Sequence, residues 1–232
     1  MTVEPEPATA RIAWSALVVA GPEAESFLSG QLTQDVVGLD EPRWSLVLQP
    51  DSTVVAPVQV TRRAGDLVVV LERDLAEATL ARLTRFKLRV ACTLEPVESV
   101  EGPFATLGER VAARWPGAPE TRGLTPHGLG RRVLESTVSF TKGCYTGQEL
   151  VGRLDARGAR VPWRMVVASG PSVAAIEAVL VGRGPAGPSG VTTVIERAGA
   201  IEALGIAHRT LGAGIYGEVS LVEVDEVGSD AE

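Results

Sequence analysis

The chain contains, at residues 140–149, the run Phe140-Thr141-Lys142-Gly143-Cys144-Tyr145-Thr146-Gly147-Gln148-Glu149, in which a cysteine lies between two glycines. Gly143 and Gly147 allow tight turns and a close approach of the backbone to a ligand. A nearby cation, from Lys142 or from Arg153, favours the thiolate form of a cysteine. Cys144 is therefore a candidate nucleophile or a candidate soft ligand for a metal. The alternative is a small apolar side chain at the start of a helix.

The chain has two cysteines, and their surroundings differ. Cys92 stands in the apolar alternation Val90-Ala91-Cys92-Thr93-Leu94, which predicts a buried strand residue. The two cysteines form no CxxC pair, so the sequence encodes neither a disulfide framework nor a closed zinc site. Cys144 is the candidate catalytic residue, and we expect no resident metal.

On the N-terminal side of this run, strand and helix patterns alternate. Apolar runs predict strands at residues 12–20, Trp44–Leu48, Val54–Val60, Leu67–Leu71 and Val90–Val97, with a hairpin turn at Ala64-Gly65-Asp66. Helical spacing predicts helices at residues 23–28 and Leu75–Phe86, the second capped by Asp74. An antiparallel meander followed by a helix and a closing strand is typical of an α+β unit.

On the C-terminal side, a helix is expected to begin near Gly147, and the pattern changes after Pro162. Short apolar strands follow, separated by turns rich in glycine and proline, at Trp163–Ala168, Gly190–Ile195 and Gly217–Val224. This spacing is typical of a small all-β barrel or sandwich. Between residues 98 and 120 the periodicity is weak, and we expect an irregular connection there.

The composition is that of a folded globular chain, with 45% apolar, 22% charged and 4% aromatic residues among 232. The formal net charge of −7 argues against a general nucleic-acid binder, because phosphate neutralisation requires an excess of Lys and Arg. No apolar run approaches the roughly 20 residues that cross a bilayer, and no basic segment precedes an apolar one at the N-terminus. We expect a cytoplasmic protein with no membrane partner.

The run Lys142–Glu149, with Arg153 after it, resembles the signature octapeptide of the YgfZ family of folate-binding proteins, which are related to the glycine-cleavage T-protein, an aminomethyltransferase. A second resemblance lies upstream. Gly21-Pro22-Glu23-Ala24, Phe27-Leu28 and residues 31–36 are similar to the opening helix shared by YgfZ proteins and the T-protein. Together the two matches frame the chain from about residue 14 to residue 160.

The resemblance implies an α+β fold in which small domains surround a central cavity that holds tetrahydrofolate or a one-carbon derivative. The implied domains are an N-terminal folate-binding subdomain at residues 1–95, a second subdomain with the signature run at residues 96–161, and a C-terminal β-barrel at residues 162–232. It also implies a function: a tetrahydrofolate-binding accessory protein for iron–sulfur cluster assembly or repair. Its partners would be iron–sulfur proteins or their assembly machinery.

A bound folate needs polar groups for the edge of its pterin, an apolar or aromatic wall for its rings, and a cation for its glutamate carboxylates. The candidates are Asp35 or Glu135 for the pterin edge, Trp44 or Tyr145 for the wall, and Arg153 or Lys142 for the carboxylates, with Gln148 of the signature run in addition. Each also has a structural alternative. Asp35 can cap a turn, Trp44 can belong to the core, and Glu135 and Arg153 can be solvated charges.

The sequence departs from the T-protein at two places. Where the T-protein has an acidic pair on a strand, one member of which is catalytic, this chain has Ala56-Pro57, and neither residue can hold a proton. The segment between Gly128 and the signature run is also shorter than in relatives. The alternative function, a folate-dependent one-carbon transferase of the aminomethyltransferase type, is therefore disfavoured. A third hypothesis is an interaction module in which the signature run is structural.

Overall fold

The computed structural model describes residues 3–158, 161–183, 185–197 and 199–225. Its strands are β1 (Glu6–Pro7), β2 (Trp14–Ala20), β3 (Arg43–Leu48), β4 (Val54–Arg63), β5 (Asp66–Glu72), β6 (Thr93–Val100), β7 (Trp163–Gly170), β8 (Gly190–Arg197), β9 (Ala200–His208), β10 (Gly214–Tyr216) and β11 (Val219–Glu223). Its helices are α1 (Ala24–Gln31), α2 (Ala76–Phe86), α3 (Leu107–Ala112), α4 (Arg131–Thr137), α5 (Gln148–Ala156) and α6 (Val173–Gly182), with 3-10 turns at Arg73–Leu75 and Pro126–Leu129. The predicted mixture of helices and strands is confirmed as an α+β fold with two sheets.

The first sheet has the strand order β3-β4-β5-β2-β6, and all neighbouring strands are antiparallel. The expected meander β3-β4-β5 is present, and its second turn uses Ala64 at φ 51° and Gly65 at φ 97°. Residues of β2 alternate between two apolar clusters: Leu17 packs towards α1 and α2, whereas Ala16 packs on the opposite face. Both faces are therefore covered, which explains why the strands read as nearly continuous apolar runs.

The second sheet has the order β1-β8-β9-β7-β11-β10. Where a barrel was expected, the described strands form an open sheet with β1 and β10 at its edges. Both edge strands are very short, and Pro7 in β1 lacks a backbone donor for further pairing. Helix α6 packs on this sheet through the fully buried Ile176 and through Leu180. Residues 226–232, which belong to the predicted third domain, lie outside the described residues.

Three local predictions were wrong. Asp74 does not cap α2, because it lies inside the 3-10 turn Arg73–Leu75, and Leu75 holds the cap position without a side-chain hydrogen bond. Strand β6 begins at Thr93, so Cys92 is buried just outside the strand. The connection after residue 98 contains the short helix α3.

A buried ionic network joins the two sheets. The Arg110 guanidinium lies 2.8 Å from a Glu120 carboxylate oxygen and 3.3 Å from Glu72, at the end of β5. The hydroxyls of Thr192 and Thr193 in β8 donate to the other Glu120 oxygen, both at 2.6 Å. Burial alone would raise the pKa of Glu120, but Arg110 and these donors lower it overall. The carboxylate therefore stays ionised and fixes the relative position of the sheets.

No helix in the described ranges combines the length and hydropathy of a membrane span. The longest, α2, has 11 residues.

Candidate functional site at the cysteine loop

The loop between α4 and α5, residues 138–147, contains the first six residues of the signature run, and we call it the cysteine loop. The last two residues of the run, Gln148 and Glu149, begin α5. The last residue of the loop, Gly147, has a φ of +86°, and a Cβ built there would lie 2.8 Å from the Gln49 carbonyl oxygen. Only glycine fits this position without strain. Ser52 in turn donates its hydroxyl to the Gly147 carbonyl at 2.6 Å. The end of the loop is thus tied to the turn between β3 and β4.

Lys142 ties the loop to helix α1. Its ammonium donates to the carbonyl oxygens of Ser29 at 2.6 Å, Leu32 at 2.7 Å and Gln34 at 3.1 Å. These carbonyls lie at and beyond the C-terminal end of α1, where backbone oxygens lack helical partners and the helix dipole favours a cation. Because an ammonium has three donors, all of them are used here. Burial lowers the pKa of Lys142 to about 8, with Asp35 opposing the shift.

Tyr145 anchors the loop in the apolar cluster between the sheets. Its ring is 6% exposed and belongs to the same cluster as Leu48 and Val151. The Lys142 ammonium lies 5.2 Å from the ring centroid, within the range of a cation–π contact. The hydroxyl has no hydrogen-bond partner among the described residues, and burial raises its pKa to about 12. The phenol therefore remains protonated and acts as a packing group.

Thr146 and Gln148 complete the attachment. Thr146 donates its backbone N–H to the Gly30 carbonyl at 3.1 Å, and its hydroxyl to the Gln31 side chain at 3.3 Å. The Gln148 side-chain oxygen accepts from the Tyr145 N–H at 3.4 Å, which closes the start of α5. The hydrogen bonds of Thr146 and Gln148 therefore lie within the loop and at its contact with α1.

Cys144 is exposed at the centre of this anchored loop, while Cys92 is buried. This difference agrees with the sequence prediction for the two cysteines. Burial raises the pKa of the Cys92 thiol, and the nearby Lys87 only partly opposes that shift. Lys142 was expected to place a cation beside the Cys144 thiol. Its ammonium instead points to backbone carbonyls.

The other predicted folate ligands make contacts with neighbouring residues of the protein itself. The Asp35 carboxylate accepts from the Val37 N–H at 3.1 Å, so it caps a turn. Trp44 lies with its ring centroid 5.9 Å from that of Phe104 and 4.4 Å from that of Trp115, in an aromatic cluster. The two remaining candidates sit in exposed ion pairs one helical turn apart, Glu135 with Arg131 and Arg153 with Glu149.

A cavity of about 1260 Å³ lies between α4, α5 and the second sheet, and we call it the α4–α5 cavity. Its apolar wall contains Leu134 of α4, Leu154 of α5 and Met165 of β7, together with Phe140 of the cysteine loop and Val224 just after β11. Its charged lining consists of Arg131, Glu135, Asp155, Arg164, Arg209, Glu223 and Asp225. Of the predicted folate ligands, Glu135 is the one found in this lining. Phe140, four positions before Cys144, connects the cavity to the cysteine loop.

Sequence reasoning missed most of the polar residues of this cavity, among them His127 and Arg164. His127 lies in the 3-10 turn Pro126–Leu129, and Arg164 pairs with Glu223 across neighbouring strands of the second sheet. No periodicity or motif marked either residue. The available signals were indirect: His127 is one of two histidines in the chain, and Arg164 is a charge within an apolar strand.

Ala56 and Pro57, which the sequence resemblance sets against the acidic pair of the T-protein, are both buried in β4. Pro57 faces Leu46 on β3, and the ladder between β4 and β5 starts only at Gln59. The missing proline donor is therefore tolerated at this point of the strand. Neither side chain can carry a proton or a charge.

No protein-family model matches the sequence, and no curated protein matches it at a significant level. Among solved structures, the chain is similar to the crystal structure of glycine cleavage system aminomethyltransferase T from Bartonella henselae, with a TM-score of 0.58 and 14% sequence identity. The match covers 93% of this chain and 86% of that one. At such low identity the likeness establishes the fold alone. The chain therefore has a fold of the glycine-cleavage T-protein type.

Proposed function

We propose that this chain is a cytoplasmic tetrahydrofolate-binding accessory protein for the assembly or repair of iron–sulfur clusters, with Cys144 as the residue on which its function depends. One observation carries the proposal: Cys144 is exposed on a loop whose conspicuous neighbours are used to hold that loop in place. Lys142, Tyr145 and Gly147 have structural contacts that account for them. Cys144 makes no such contact with any residue that the structure describes, so it is the group that the loop presents.

The anchoring explains why such a loop suits a reactive cysteine. A functional side chain works best when its own backbone is fixed by surrounding contacts. Here the loop is attached in its middle through Lys142, closer to its end through Tyr145 and at its last residue through Gly147. These contacts hold the Cys144 backbone and leave the thiol in solvent.

The α4–α5 cavity supports the folate part of the proposal. Sites for small organic ligands are concave, mostly apolar and roughly 300–1,000 Å³ in volume, so a cavity of about 1260 Å³ has room for a pterin, a benzoyl ring and a glutamate. Phe140 and Met165 offer the apolar wall, and Arg131 and Arg164 offer cations for carboxylates. A guanidinium has five N–H donors, and each of these arginines keeps donors beyond those in its ion pair. We therefore assign the carboxylate role to them in place of Lys142, whose donors are all used.

The iron–sulfur part of the proposal requires a partner. Clusters of the common types are held by four thiolate ligands, and this chain has one exposed cysteine. Any cluster contact through Cys144 is therefore transient and shared with an iron–sulfur protein or with its assembly machinery.

The test combines binding with complementation. Calorimetric titration with tetrahydrofolate should give saturable binding to both the wild-type protein and Cys144→Ser. In cells that lack the protein, Cys144→Ser should fail to restore iron–sulfur enzyme activity, while Cys92→Ser should restore it if it folds. Absence of folate binding up to millimolar ligand, or full rescue by Cys144→Ser, would contradict the proposal.

A one-carbon transferase of the aminomethyltransferase type is the second candidate, and the likeness in fold to an aminomethyltransferase favours it. The absence of any ionisable side chain at Ala56 and Pro57 weighs against it, because the family chemistry relies on a carboxylate there. We expect no glycine-dependent aminomethyl transfer from the glycine-cleavage carrier. Formation of methylenetetrahydrofolate at the rate of an authentic T-protein would reverse the ranking of the two candidates.

A further inference from the structure

The imidazole of His127 lies at the wall of the α4–α5 cavity with both ring nitrogens unpaired. Each nitrogen is shielded from solvent and has no hydrogen-bond partner among the described residues. A shielded polar atom without a partner is unfavourable, because it has given up its hydrogen bonds to water. Unpaired polar atoms in a native cavity therefore call for an explanation, and a ligand is one.

Both arginines that we assign to carboxylates already take part in ion pairs, although the Nε of Arg164 has no partner among the described residues. Arg131 pairs with Glu135 on α4, and Arg164 pairs with Glu223 and donates to the Leu211 carbonyl at 2.8 Å. His127 is different in kind as well. A guanidinium only donates hydrogen bonds and a carboxylate only accepts them, whereas a neutral imidazole offers one donor and one acceptor.

The protonation state of His127 agrees with that role. Burial lowers the pKa of the imidazole, and the Asp155 carboxylate on α5 only partly opposes the shift. The ring is therefore neutral at neutral pH and keeps its acceptor nitrogen.

We infer that His127 is the residue that pairs with the polar edge of the pterin when a folate occupies the α4–α5 cavity. This inference rests on the proposed function and names the group that recognises its ligand. The pterin edge carries N–H donors beside oxygen and nitrogen acceptors, so a neutral imidazole can pair with it from either side. Because the ring nitrogens are shielded in the structure, the imidazole must turn towards the cavity to make the contact. The inference replaces the sequence-based candidates Asp35 and Glu135, whose carboxylates have partners.

The chain offers a direct test, because His127 and His208 are its two histidines. His208 serves as the internal control, since its Nδ1 lies 2.8 Å from the Thr210 hydroxyl. Nitrogen-15 NMR of the imidazole rings reports hydrogen bonding at each nitrogen, and the signals can be assigned with His127→Phe and His208→Gln. Three probes are titrated separately: tetrahydrofolate, a tetrahydropterin without the benzoyl-glutamate part, and p-aminobenzoyl-glutamate.

We expect tetrahydrofolate and the tetrahydropterin to shift the His127 nitrogen signals, and p-aminobenzoyl-glutamate to leave them unchanged. His208 should not respond to any probe. By calorimetry, His127→Phe should bind tetrahydrofolate about tenfold more weakly, and His208→Gln should stay within about twofold of the wild type.

The outcomes separate the two proposals. If the wild-type protein binds tetrahydrofolate while the His127 signals stay unchanged, the inference is overturned and the proposed function stands. A response of His127 to p-aminobenzoyl-glutamate alone would also overturn it. If the wild-type protein binds no tetrahydrofolate, both fall. The wild-type spectra decide these points even if His127→Phe does not fold.

Discussion

The ammonium of Lys142 lies 2.6 Å from the carbonyl oxygen of Ser29, 113 positions earlier in the chain. This contact joins the cysteine loop to the end of α1, so two segments that are far apart in the sequence meet in space. Lys142 therefore holds the cysteine loop against the end of α1. Its neighbour two positions on, Cys144, is left exposed.

Replacing Lys142 by methionine should loosen this attachment. Lys142→Met keeps the length of the side chain but removes three donors, and leaves the half-buried carbonyls of Ser29, Leu32 and Gln34 without that partner. We expect the free energy of unfolding to fall by about 1–3 kcal/mol, measured by urea denaturation. Arg153→Met is the matched control, because its exposed ion pair with Glu149 should contribute less than about 1 kcal/mol. Equal stability of the two variants would show that the Lys142 contacts are not stabilising.

Two glycines of the signature run provide a test of the loop geometry. Gly147→Ala places a Cβ against the Gln49 carbonyl at a φ of +86°, and we expect a loss of about 1–3 kcal/mol of unfolding free energy. Gly143→Ala meets no atom within 4 Å and should be nearly neutral. The ranking is read from urea midpoints of both variants. A neutral Gly147→Ala would mean that the loop does not approach the turn between β3 and β4.

The cysteine loop also shows how much of the site could be predicted from the sequence. The exposed Cys144, the buried Cys92 and the start of α5 after Gly147 followed from local residues, since each depends on its immediate neighbours. The partners of Lys142 did not follow. They lie more than 100 positions away, and nothing in the local pattern identifies which carbonyls a lysine will meet.

The same distinction holds for the fold. The meander β3-β4-β5 was predicted because alternation and a two-residue turn are local signals. Strand β9 was missed because three alanines, a glutamate and a glycine, all residue types depleted in strands, outnumber its two isoleucines, although it is a central strand between β8 and β7. Helix α6 was missed because it is apolar on nearly all sides and shows little periodicity. Its one local signal was Ser172, which caps it by accepting from the Ala175 N–H at 3.2 Å.

The two cysteines should differ in their reaction with iodoacetamide. In the folded protein Cys144 should be alkylated readily, because its side chain is exposed, while Cys92 should be protected by burial and by its raised pKa. Mass spectrometry after timed labelling locates the modified residue, with Cys144→Ser and Cys92→Ser as controls. In urea both cysteines should react at similar rates. Preferential labelling of Cys92 in the folded protein would contradict the position of the loop.

The pH dependence of stability should reveal the half-buried His127. Burial lowers the pKa of this imidazole below its ordinary value of 6.5, so the unfolded chain binds more protons than the folded one as the pH falls through that value. The contribution of a neutral His127 is therefore complete above pH 6.5 and is lost progressively below it.

The test compares unfolding free energies at pH 7.5 and pH 5.5, which lie about one unit on either side of that ordinary pKa. Between these two values we expect the wild-type protein to lose more unfolding free energy than His127→Phe does. The Asp155 carboxylate, which faces the same cavity, should counteract part of the effect, so Asp155→Asn should enlarge the loss. Urea midpoints at both pH values give the comparison, and identical losses in the wild type and His127→Phe would show that the imidazole is not buried in its neutral form.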